Sequence, residues 1–114
     1  MDMSRLTDLT EGNADSMREL LGLFDKQTTQ QLKQIEEAVR AGEAAEVGRV
    51  AHSCKGASAT LGMSRLAAVL LQLEKSGKAG DLTGAPALCA NAWKEFKDVQ
   101  SFLASQPSLA AAAR

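Results

Sequence analysis

The sequence predicts an all-α protein, an antiparallel four-helix bundle with a short additional helix at its N-terminus. Three observations carry this expectation. Apolar residues recur at steps of three and four through four long stretches, the spacing that puts them on one face of a helix. The stretches are separated by short segments containing glycine, which join neighbours that run in opposite directions. No stretch alternates apolar and polar residues as a half-buried strand does, and no internal repeat is visible.

The chain has 114 residues, enough for one domain with a single core and too few for a separate catalytic domain. In its first ten residues, Leu6 and Leu9 form a pair on a short segment that suits a helix lying across the end of the bundle. Gly12 and Asn13 interrupt it. Asn13, Asp15 and Ser16 then compete to cap the next helix, and Ser16 with Glu19 has the spacing of a capping box. Met17, Leu21, Phe24, Thr28, Leu32, Ile35 and Val39 continue as one amphipathic stripe, which Gly42 ends.

After the Gly42-Glu43 corner, Val47, Val50, Ala51, Cys54, Ala57 and Leu61 mark the buried stripe of the next helix. Gly62 suits a left-handed turn at its end, with Met63 covering that end and Ser64 capping the third long helix. That helix is expected from about Arg65 to Lys75, with Leu66, Val69, Leu70 and Leu73 inward. Ser76 to Asp81 reads as a loop by composition. Pro86 is tolerated only in a helix's first turn, so the last helix should begin near Thr83 or Gly84. Its stripe is Leu88, Cys89, Ala92, Phe96, Val99 and Leu103, with Trp93 at the margin. Residues 1–104 therefore form the expected domain, and residues 105–114, which show no pattern demanding tertiary contact, a flexible tail.

Composition excludes several function classes. A formal net charge of -1 and the lack of a Lys/Arg block argue against nucleic acid as partner, since phosphate backbones demand a concentrated basic surface. No apolar run approaches the ~20 residues of a membrane span, and the N-terminus lacks a signal-peptide pattern. A soluble, cytoplasmic monomer is expected. Cys54 and Cys89 fall on core faces of different helices and are expected reduced; with one histidine they offer no metal-ligand spacing, so no metal is assigned.

That histidine is His52, the only one in the chain, and it lies off the apolar stripe of its helix. Its face also carries Gly48, Lys55, Gly56 and Ala59, because residues three and four apart stack on a helix surface. A glycine inside a helix costs roughly 1 kcal/mol relative to alanine, so two of them beside one histidine suggest that the absence of a side chain is useful. They would clear the approach to the ring. Lys55 places a flexible cation one turn on, able to neutralise an anion held at the imidazole. An exposed imidazole is a competent nucleophile near neutral pH, where an unprotonated ring nitrogen is available. Gln27, Gln30, Gln31 and Gln34 pass on the preceding antiparallel helix at about the height of His52, and Gln31 and Gln34 are supporting candidates for a hydrogen bond to the ring or to a group on it. Taken singly, each of these residues reads as an ordinary surface or packing residue; their combination on one face is what discriminates. Ser58 lies away from the open face, where a hydroxyl bonds the carbonyl one turn back.

The run HSCKGASATLG from His52 to Gly62, with Leu66 and then Leu73-Glu74, resembles the histidine-containing phosphotransfer (HPt) domain. His52, Lys55, Gly56, Ser58, Gly62, Leu66, Leu73 and Glu74 fall on the family's pattern; Cys54 stands where the family usually has a larger aliphatic residue. The resemblance implies a phosphocarrier without an ATP-binding or catalytic domain of its own, in a multistep two-component phosphorelay. His52 would accept a phosphoryl group, on Nε2, from a receiver-domain aspartate and pass it to another receiver, with Lys55 stabilising its charge. It implies response-regulator receivers or a hybrid sensor histidine kinase as partners. The divalent metal is then expected on the receiver. Two alternatives stay open at this point: a module phosphorylated by an ATP-dependent, chemotaxis-type kinase domain, and a non-catalytic helical binding or scaffold module.

Overall fold

The computed structural model describes residues 14–104. Within them the chain forms four helices: α1 (Ala14–Ala41), α2 (Ala44–Thr60), α3 (Ser64–Ala79) and α4 (Ala85–Ala104). Each packs on the one before it and α4 returns to α1, so the four close into a bundle whose most extensive contact is between α2 and α3. The expected N-terminal helix and the tail from Ser105 lie outside the described residues. No helix among the described residues is long and apolar enough to cross a membrane.

The core is built on the stripes that the spacing predicts, with Val39, Ala57, Val69, Leu88, Val99 and Leu103 only partly buried at its edge and Ala38 and Ala85 buried beside them. Leu32 and Ile35 of α1, Val47, Ala51 and Cys54 of α2, Leu66, Leu70 and Leu73 of α3, and Ala92 and Phe96 of α4 are all buried. Burial of each large apolar side chain is worth about 1.5–3 kcal/mol, so this shared interior is what holds marginal single helices together. Phe24 meets Phe96 edge-on with ring centroids 6.1 Å apart, joining α1 to α4. Trp93 sits at the margin of this core, as its place in the stripe suggests, and donates its Nε1–H to Glu36 on α1. Cys54 and Cys89 are buried free thiols.

One device ends the first three helices. After α1 the amides of Gly42 and Glu43 donate to the carbonyls of Val39 and Ala38; after α2 those of Gly62 and Met63 donate to Ala59 and Ser58; after α3 those of Gly80 and Asp81 donate to Gly77 and Ser76. Each glycine has a positive φ, at 72°, 76° and 70°. These are Schellman closures, in which the left-handed residue lets the chain fold back on the orphan carbonyls of the last turn.

The structure corrects several boundaries. Helix α1 begins at Ala14, so Asp15 and Ser16 lie inside its first turn instead of capping it. Met63, not Ser64, is the N-cap of α3, with no side-chain cap bond, and Ser64 is the first helical residue. Helix α4 begins at Ala85, with Pro86 in its first turn. The largest difference is at the end of α3, which runs through Ser76, Gly77 and Lys78 to Ala79. Composition made this a loop, yet Gly77 is buried and faces Gly48 of α2, and a Cβ on it would lie 2.4 Å from the Gly48 nitrogen and 2.6 Å from the Ala44 carbonyl oxygen. Here glycine serves helix packing rather than chain reversal.

Candidate functional site

The close approach of α2 and α3 at Gly48 and Gly77 decides what lies beside His52. One turn before Gly77, Glu74 stands on the buried stripe of α3, four residues after Leu70 and eight after Leu66. Its side chain is only 4% exposed, while that of His52 is 67% exposed. The imidazole Nδ1 is 2.6 Å from Glu74 Oε2. Lys55 donates to the other oxygen, Oε1, at 2.7 Å, and Lys78, one turn beyond Glu74, reaches Oε2 at 3.2 Å. A single buried carboxylate therefore holds a histidine and two lysines.

A carboxylate is buried at a cost unless it is paired and hydrogen-bonded, and here both its oxygens are. The Lys55 hydrogen bond, helped by those from His52 and Lys78, outweighs burial and holds the Glu74 carboxyl down at about 2. Glu74 is thus ionised at every pH of interest and can only accept. It follows that Nδ1 of His52 carries the hydrogen, so that in the neutral ring the lone pair is on Nε2. The second ring nitrogen fixes the tautomer of the first.

The remaining predicted residues divide between this site and the scaffold. Gly56 and Ala59 are exposed, and a Cβ on Gly56 would meet nothing within 4 Å, so the surface one turn beyond His52 is open. Gly48 lines the groove beside His52 but also has a packing role. It is buried, and a Cβ on it would touch the Glu74 carbonyl oxygen and the Lys78 nitrogen at 3.5 Å, so the residue is part of the α2–α3 contact. Ser58 is buried and its hydroxyl donates to the Cys54 carbonyl at 2.9 Å, the back-bond expected of it. Gln31 donates to Ser53 Oγ at 3.2 Å instead of to the imidazole, and Gln34 is exposed on α1.

Glu74 is the functional residue that sequence reasoning leaves out of the site, legible there only as a motif position. The signal was its spacing: an acidic side chain at a core position of a helix demands partners, and the lone histidine and Lys55 were the polar groups in need of explanation. Among the described residues no group of three or more His, Cys, Asp or Glu side chains is arranged to hold a metal ion. Beside His52, between the end of α3 and the start of α2, lies an open groove of about 590 Å³ lined by Arg49, Gly77 and Lys78 among others.

Known proteins share this fold and its family pattern. The Hpt domain model matches residues 19–106. The solved structure of histidine-containing phosphotransfer protein B (HptB) from Pseudomonas aeruginosa PAO1 is similar over 90% of this chain and 89% of that one, at 33% identity and a TM-score of 0.84. No curated protein matches the chain. Fold, motif and family model together place the chain in the histidine-containing phosphotransfer (Hpt) family of phosphorelay proteins.

Proposed function

We propose that His52 is the phosphoryl acceptor of this protein, taking the group from the aspartyl phosphate of a receiver domain and passing it to an aspartate on another. One observation carries the reading: an exposed imidazole is pinned through Nδ1 by a buried, ionised carboxylate, so that Nε2 is left as the outward nucleophile.

In the forward step the Nε2 lone pair attacks phosphorus in line. The Nε2–P bond forms as the P–O bond to the aspartyl carboxylate breaks, and that carboxylate leaves with the bonding pair. The ring becomes an N-phosphoryl imidazolium whose Nδ1–H remains on Glu74, and the negative carboxylate stabilises the positive charge as it develops. Transfer outward is the same sequence in reverse with a different carboxylate. No proton has to leave the site, which suits a carrier that must load and unload. Lys55, only 27% exposed and tethered to Glu74, stands one turn from the ring with further N–H groups available to phosphoryl oxygens. The divalent metal of the reaction belongs to the receiver in this reading, and openness at Gly56 and Ala59 leaves space for that domain to approach.

The test is a transfer assay with purified partners. Phosphorylated receiver should load the protein, and the loaded protein should label a second, unphosphorylated receiver. Loading only by an ATP-dependent kinase domain, with none from any receiver, would overturn the receiver-to-receiver route.

A further inference from the structure

Of the two lysines on Glu74, one is tied and one is loose. Lys55 makes the shorter bond, 2.7 Å, and is mostly covered; Lys78 makes a 3.2 Å bond to an oxygen already used by His52, and its side chain is 72% exposed. They also lie on opposite sides of the ring. Lys55 follows His52 by one turn of α2, whereas Lys78 comes from the end of α3 and lines the groove that opens beside the imidazole toward Arg49, one turn before it. Lys55 does not line that groove.

We propose that the groove between Arg49 and Lys78 is a phosphoryl-binding subsite, and that Lys78 leaves Glu74 to bind the group once it is on His52. The inference rests on the assignment of His52 as acceptor and adds to it a second cation and a direction for the phosphoryl oxygens. In the empty protein Lys78 is stored on the carboxylate. Loading brings a group of about -1.5 to -2 charge to Nε2, next to a lysine whose existing partner is shared and long. Because the ring turns positive on phosphorylation, Glu74 keeps a counter-ion when Lys78 departs. The charged and titratable groups lining this space are His52 and Arg49 from α2 and Glu74 and Lys78 from α3; outside it, Lys55 holds Glu74, and Glu46 binds Arg49 at 2.6 Å and so weakens its pull on an anion. Lys78 is then the principal cation of the groove.

The experiment loads the full chain with phosphoramidate, which needs no partner: the P–N bond of the donor breaks, ammonia leaves and Nε2–P forms. Phosphorus NMR then tracks the second ionisation of the bound phosphoryl group. Removing a nearby cation disfavours the dianion, so Lys78→Ala should raise that ionisation by roughly 0.2–0.7 pH units, the worth of an exposed ion pair, and Lys78→Arg should restore it. An unchanged helical signal and melting temperature would show the variant to be folded. Titration of the phosphoryl group in Lys78→Ala identical to wild type would overturn the subsite while leaving His52 as acceptor. Failure of the wild type to form any phosphohistidine would overturn both.

Discussion

Gly77 of α3 presses on the backbone of Gly48 of α2 so closely that a single methyl group on it would overlap the Gly48 nitrogen and α-carbon. The contact lies one turn beyond Glu74 on one helix and one turn before His52 on the other. It therefore sets the distance across which the Glu74 carboxylate meets the imidazole.

Three glycine-to-alanine changes should separate accordingly. Gly77→Ala forces backbone against backbone and should destabilise the fold by about 1–3 kcal/mol, with loss of the His52–Glu74 bond. Gly48→Ala finds only ordinary contacts at 3.5 Å, and Gly56→Ala finds open space. Both gain helix propensity of up to ~1 kcal/mol and should be neutral or stabilising. Urea denaturation of the three proteins checks the order. A bulky residue at Gly56 should slow phosphoryl transfer while leaving the fold intact; if it unfolds the bundle, the open face is misassigned.

Glu74→Gln removes the charge and keeps the shape. The amide no longer forces the hydrogen onto Nδ1, so nitrogen NMR of His52 should show the Nδ1–H tautomer giving way to a mixture, and transfer should slow. An unchanged tautomer would mean that Glu74 does not set it.

The same carboxylate predicts a dependence on pH. Its value falls from 4.5 to about 2 on folding, so the unfolded chain binds the proton more readily. The resulting stability is fully present above about pH 5 and is lost as pH falls through about 2. Melting temperatures of wild type should therefore decline between those limits more steeply than those of Glu74→Gln.

Cys54 and Cys89 are both pushed up to about 11 by burial, the nearby Glu36 charge adding to the effect at Cys89. Neither thiolate is populated at neutral pH, and alkylation by iodoacetamide at pH 7.5 should be slow in the native protein and fast in denaturant. Rapid labelling of the native protein would contradict the packing described for α2 and α4.

Most of the fold could be read from spacing because the bundle's core is built from apolar residues at regular helical intervals: Leu32, Ile35, Val47, Leu70 and Phe96 are where periodicity puts them. The residues that escaped are those for which composition has two meanings. Gly77 in a Ser-Gly-Lys-Ala-Gly run looks like a loop residue, and only the facing helix reveals that its missing side chain is a packing requirement. Gly48 was ambiguous in the same way, between a cleared approach and a helix contact. At the site, His52 and Lys55 stood out by residue type and motif. Glu74 sits at a core position that demands partners, but only the fold shows that these are His52, 22 residues away, and Lys55.

One measurement tests directly whether His52 is the acceptor. Wild type and His52→Gln are incubated with a radiolabelled phosphorylated receiver, and the label on each is tested for stability in acid and base. Wild type should take an acid-labile, base-stable label on Nε2 of His52, and His52→Gln should take none while keeping its helical signal and melting temperature. A folded His52→Gln protein that still acquires label, or a wild type whose label is stable to acid, would contradict that role.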